Sequence, residues 1–266
     1  MAWLLNLILG PHRFETRSPW GIFTGICAVF AGTILSLVTI VALLLASSLL
    51  IPDQAGNLQR CAAIAGQEVS RECSGWALAM MGAFALVLTA AFVGMAYARK
   101  GSTPANALLL RAANLRWWQY LALVAVMMSV VLISETAVSL IGGATQADLE
   151  QGTDYIKVFM SSGGLYVWVL IIATVVLAGP FVEEVIFRGF MFTTLIETRA
   201  GFIGAAVITS ACWTVLHYTY SWQTLTVLFI FGVCLSYVVW RTGSLWPGVI
   251  AHGANNLVST LIFALR

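Results

Sequence analysis

The sequence predicts an all-α protein, a polytopic bundle of seven to eight transmembrane helices. Apolar residues of the AVILMFWYC set make up 60% of the 266 positions and charged residues only 9%, with a mean hydropathy of +0.92. A soluble domain carries roughly 25% charged residues, so too few are present here to cover a water-facing surface. The charges are also bunched, leaving uncharged intervals at 18–52, 73–98, 117–134, 158–182, 200–240 and 242–265. About 20 apolar residues cross the hydrocarbon core as a helix, and these intervals are of that length or longer.

Taken in order, the opening "MAWLLNLILGPHR" is apolar but too short to span and follows no basic stretch, so no cleavable signal peptide is read there. The first span runs from about Trp20 to Ile51, and its Gly21 and Gly25 match the GxxxG packing pattern. The following loop holds Cys61 and Cys73, a candidate disulfide on the non-cytoplasmic side. The third span begins at Trp117 and carries Glu135 about 27 Å along it at 1.5 Å per residue. That carboxylate reads as interfacial, or as the partner of a buried cation. The segment 164–197 is long for one crossing and becomes two if Pro180 splits it, which gives the eighth span. Interval 200–240 holds two crossings around Tyr218-Thr219-Tyr220-Ser221, whose tyrosines suit the interface. Cys27, Cys212 and Cys234 lie within spans and read as small buried residues.

Loop charges set an orientation. The stretch 99–116 holds Arg99, Lys100, Arg111 and Arg116 without an acid, while 148–157 has Lys157 against Asp148, Glu150 and Asp154. With Arg13 and Arg17 before the first span, the positive-inside rule places the N-terminus in the cytoplasm. The chain then divides into a cytoplasmic segment 1–19, N-terminal transmembrane helices 20–160 and a C-terminal transmembrane catalytic core 161–266, all one integral membrane domain of the cell membrane. The net charge of +2, with no Lys/Arg run, points to no nucleic-acid partner; membrane lipids are the expected surroundings.

The chemistry gathers in the C-terminal half. "AGPFVEEVIFRGFMF" places Glu183, Glu184 and Arg188 directly after the uncharged interval 158–182. Ionisable residues at such depth are costly and usually functional. Glu184 and Arg188 are four apart, so they share a helix face and can pair, while Glu183 points about 100° away. In "CWTVLHYTY", Trp213 and His217 have the same spacing, as do His252 and Asn256 in "WPGVIAHGANN", where Pro247 suits a helix start. Measured from the turn at Glu197–Gly201, Glu183 and His217 lie at about 23 and 25 Å along their helices. His252 is only about 9 Å beyond Trp246, so convergence needs that turn to project into the cytoplasm and puts the site nearer the cytoplasmic face.

One Glu, two His and one Asn can hydrolyse a peptide bond without a covalent intermediate. A carboxylate in a low-dielectric setting can deprotonate water, a histidine can position the water or pass its proton to the leaving amine, and a His–Asn pair can stabilise an oxyanion. Glu183, His217 and His252 can instead hold a zinc ion with an open position for water. HExxH, GxSG and an intramembrane aspartate pair are all missing from the sequence, which excludes those protease chemistries. A proton-coupled transporter using a Glu/His relay, or a catalytically silent membrane scaffold, are the rival readings.

Over roughly residues 165–262 the sequence resembles the CAAX-processing and bacteriocin-processing (abortive-infection) family of intramembrane proteases, which includes the Rce-type CAAX endopeptidases. Its motifs EExxxR, FxxxH and Hxxx(N/D) look like Glu183–Arg188, Trp213–His217 and His252–Asn256, with Trp213 where the family usually has Phe. The resemblance implies an endopeptidase acting on a membrane-anchored or prenylated substrate. It implies Glu183 as the water-activating base with His217, Arg188 holding Glu184, and His252 with Asn256 at the oxyanion. Zn²⁺-dependent and metal-free glutamate mechanisms are both compatible with it.

Overall fold

The computed structural model describes residues 2–15, 20–50, 71–99, 101–143, 145, 148 and 164–265. Among them the order is α1 (Ala2–Leu9), α2 (Ile22–Leu50), α3 (Arg71–Ala98), α4 (Pro104–Ala107), α5 (Trp117–Gly142), α6 (Leu165–Ile196), α7 (Gly201–Val215), α8 (Trp222–Thr242) and α9 (Trp246–Ala264). The described residues contain no strand. In lipid every backbone N–H and C=O must be satisfied within the chain, which is why apolar segments of this length become helices. Four helical stretches, Leu78–Ala98, Trp117–Gly142, Leu165–Ile196 and Trp222–Thr242, are long and apolar enough to cross a membrane. Helices of that length and composition are those of an integral membrane protein. Their outer faces carry exposed Leu86, Leu132, Ile133 and Val169, side chains whose solvent is hydrocarbon.

Pro180 does not split α6. The run from Leu165 to Ile196 is continuous but contains two π-helical stretches, Ile172–Ala178 and Val185–Phe192. Proline in an α-helix clashes with the carbonyl four residues back and removes a donor. The wider π turn just before it relieves the clash, and the N–H of Gly179 reaches back five residues to the carbonyl of Thr174. The second crossing expected from a break at Pro180 therefore does not form.

α6 is the central element, packing against α3, α7, α8 and α9. Its Phe190 meets Trp20 and Phe92 at ring-centroid distances of 4.7 and 4.8 Å. Of the GxxxG pair only Gly25 packs, since a Cβ there would sit 3.6 Å from Phe190 and Thr194, whereas Gly21 faces open space. Cys27 and Cys212 are exposed on outer helix faces rather than buried, and Cys234 is half-buried; a lipid-facing thiol loses little to hydration and needs no internal slot. The Cys61–Cys73 pairing falls on side chains outside the described residues.

One end of the bundle is tied by main-chain hydrogen bonds. Arg13 N donates to Arg241 O at 3.0 Å and Leu245 N to Leu109 O at 3.0 Å. Arg111 Nε donates to the carbonyl of Gly243 at 2.6 Å. Gly243 closes α8 in the left-handed region at φ 64°, a conformation glycine adopts freely.

Candidate active site

The site is built from α6, α7 and α9, with α8 behind them. On α6, Arg188 NH1 donates to Glu184 Oε1 at 3.0 Å and both side chains are 0% exposed. The other guanidinium nitrogen, NH2, donates to the carbonyl of Gly232 on α8 at 3.0 Å. A Cβ on Gly232 would lie 3.0 Å from that nitrogen, so the glycine lets the guanidinium approach α8 backbone. Arg188 also lies 4.9 Å from the Trp213 ring centroid, an attractive cation–π placement.

Glu183 faces the other way, its side chain 28% exposed. Trp213 Nε1 donates to Glu183 Oε2 at 2.6 Å, so the tryptophan is a direct partner of the carboxylate. Phenylalanine at that position has no donor. His252 sits between the two acids: Nδ1–H donates to Glu184 Oε1 at 3.1 Å, and Nε2 lies 3.7 Å from Glu183 Oε2. The last motif thus reaches the first.

His217 lies just past α7, and its Nδ1–H donates to the carbonyl of Trp213 at 3.1 Å. In the neutral ring this leaves Nε2 with the lone pair. The ring is 5.4 Å from those of Trp213 and Tyr220.

The expected His252–Asn256 pair is not the arrangement found. Asn256 Nδ2 donates instead to the carbonyl of Val175 at 2.9 Å. Pro180 explains this: it lacks an N–H, and in the π register the carbonyl five residues back is that of Val175. One helix away, Asn256 supplies the missing donor. Beside it Gly253 brings α9 against the next carbonyl, since a Cβ there would lie 2.7 Å from Val176 O.

These groups open onto a cavity of about 610 Å³ lined by Glu183, Trp213, His217, His252 and Asn256. Glu135 of α5, read from the sequence as an interfacial carboxylate or the partner of a buried cation, lines it too; α5 packs on α8 and α9. Tyr220 faces the cavity while Tyr218 is 78% exposed, so only the latter sits as an anchor would. Among the described residues no group of three His, Cys, Asp or Glu side chains is gathered tightly enough to hold a metal ion. Glu183 and His252 form two members of such a set, with Glu183 Oε2 already accepting from Trp213.

Comparison with curated proteins and with solved structures returns no match. Residues 165–258, which hold Glu183, Glu184, Arg188, Trp213, His217, His252 and Asn256, match the family described as type II CAAX prenyl endopeptidase Rce1-like.

Proposed function

We propose that the protein is an intramembrane endopeptidase that hydrolyses a peptide bond in a membrane-anchored or prenylated, CAAX-type substrate, using a water activated by Glu183. The observation that carries this reading is the unequal setting of two adjacent carboxylates. Glu184 is enclosed and neutralised by Arg188, whereas Glu183 reaches the cavity beside two histidines. Glu183 takes a proton from water as the oxygen attacks the scissile carbonyl carbon, giving a tetrahedral oxyanion. His217, with Nε2 as its free nitrogen, orients that water and relays the proton to the leaving nitrogen. In its imidazolium form His252 donates from both nitrogens, and the second N–H of Asn256 adds a donor toward the oxyanion. Collapse breaks the C–N bond and releases an amine and a carboxylate product.

A quenched farnesylated CAAX peptide and an unprenylated membrane-anchored peptide, offered to the detergent-purified protein, test this. Wild type cleaves one of them, and Glu183→Ala lowers kcat by about 10²–10⁴-fold, the range for losing a positioned general base. His217→Ala and His252→Ala fall in the same direction. Cleavage that survives Glu183→Ala sinks the mechanism. The zinc arrangement through Glu183, His217 and His252 has only the 3.7 Å approach of His252 Nε2 to Glu183 Oε2 behind it, since no third ligand is gathered there among the described residues. It requires activity to disappear with a strong chelator and return with Zn²⁺.

A further inference from the structure

α9 turns one row of polar side chains toward the cavity. His252, Asn255, Asn256, Ser259 and Thr260 all line it, spaced three and four residues apart along one helix face. Their hydrogen-bonding capacity is not spent alike. His252 bonds Glu184, and Asn256 bonds the carbonyl of Val175. The half-buried Asn255 has no side-chain hydrogen-bond partner among the described residues. A carboxamide carries two N–H donors and an oxygen that accepts twice. Within a membrane span such a group is costly to leave unmatched, because hydrocarbon offers it nothing. Facing a cavity, it is matched by water or by whatever enters.

The place of Asn255 suits a peptide main chain. It lies three residues past His252, about 4.5 Å along the axis at 1.5 Å per residue. An extended peptide advances about 3.3 Å per residue. A chain whose reacting carbonyl stands beside Glu183 and His252, and whose backbone follows α9, therefore brings a neighbouring peptide unit to Asn255. The chemistry agrees with the spacing, since an amide side chain offers the same donor and acceptor pair that a peptide unit presents. Other polar groups of the wall match it less well. Thr219 and Ser259 each carry one hydroxyl, and Glu135 as a carboxylate only accepts. Asn256, the other carboxamide of the described lining, has committed an N–H to Val175.

We infer that Asn255 is a substrate-binding residue whose carboxamide holds the substrate main chain at a peptide unit beside the scissile bond. This rests on the peptidase reading for which bond is cut, but it is tested by binding. Glu183→Gln keeps an acceptor for Trp213 and serves to measure binding without turnover. Fluorescein-labelled forms of the farnesylated CAAX peptide and of the unprenylated membrane-anchored peptide are titrated by anisotropy in detergent. The proteins compared are Glu183→Gln and Glu183→Gln with Asn255→Ala. Kd of the peptide that binds is expected to rise about 5- to 30-fold on losing Asn255, as for one to two neutral hydrogen bonds. Asn255→Ala is expected to leave the thermal unfolding midpoint unchanged, whereas Asn256→Ala lowers it. Peptides with an ester in place of the peptide bond on one or other side of the scissile bond lose an N–H and weaken a carbonyl. One of these esters is expected to weaken binding to Glu183→Gln and to cost nothing further once Asn255 is gone. Where wild type cleaves the peptide, Asn255→Ala raises KM by the same factor with kcat little changed.

Equal Kd with and without Asn255 overturns the inference, and so does a failure of either peptide to bind. Esters that cost the same in both proteins also overturn it, because the amide then faces only cavity water. A midpoint that falls as far as that of Asn256→Ala assigns Asn255 to the packing of α9 instead. A peptide held through Asn255 but never cleaved by wild type keeps the inference and sinks the peptidase reading, so the two fail separately.

Discussion

Glu183 and Glu184 are neighbours in sequence, yet the helix turns them toward different company. Glu184 meets Arg188 in a 3.0 Å pair that never sees solvent, and removing one partner of a buried pair leaves a charge that costs about 3–5 kcal/mol. Glu183 keeps a polar opening and takes its hydrogen bond from Trp213. Trp213→Phe removes that donor while preserving an aromatic ring. We expect kcat to fall by about 10- to 100-fold, as for the loss of one hydrogen bond to a charged group, with KM less affected; steady-state kinetics on the cleaved peptide measures the split. The division between the two glutamates was legible in the sequence, because four-residue spacing and the 100° turn follow from helix geometry alone. The donor role of Trp213 was not, since an indole reads the same whether its N–H faces a carboxylate or lipid. That Glu135 lines the cavity was not legible for a related reason: its aspect depends on how α5 lies across α8 and α9.

At the scale of the element, α6 is shaped by one missing hydrogen. Pro180 withdraws a donor, the π stretch Ile172–Ala178 accommodates its ring, and Asn256 of α9 answers the carbonyl of Val175. Pro180→Ala restores an N–H that competes for this part of the helix, so the two positions are expected to be coupled. Asn256→Ala alone lowers stability by about 0.5–1.5 kcal/mol, the net worth of a typical hydrogen bond, because the Val175 carbonyl it bonds is part-buried. In the Pro180→Ala background the same change costs less, and thermal unfolding of the four proteins in detergent gives the difference. Equal losses in both backgrounds contradict the coupling. The proline was visible in the sequence and read as a break, because apolar periodicity does not distinguish an α from a π register within an interval without charges. The convergence of three helices was anticipated from depth counting, and His252 does reach Glu183 at 3.7 Å.

At the scale of the molecule, one end of the bundle is locked by arginine side-chain bonds to backbone: Arg111 NH2 donates to Glu15 O at 3.1 Å and Arg241 NH2 to Gly10 O at 2.8 Å. Arg111→Ala is expected to lower stability by about 1–2 kcal/mol through lost hydrogen bonds while cleavage per folded molecule stays unchanged; a parallel drop in kcat shows that the lock also shapes the site. The site at the centre also has a consequence for biogenesis. Charged groups at mid-helix cost about 2.5–3.5 kcal/mol each on entering the membrane. Glu184 and Arg188 sit on one helix and can neutralise each other as α6 leaves the translocon, before any neighbour arrives. His252 lies on α9 and is synthesised after α6, α7 and α8. A nascent chain therefore carries its glutamates into the bilayer with one of them already quieted, and acquires the histidine between them only when α9 inserts. On the peptidase reading, hydrolysis that needs that histidine waits for α9.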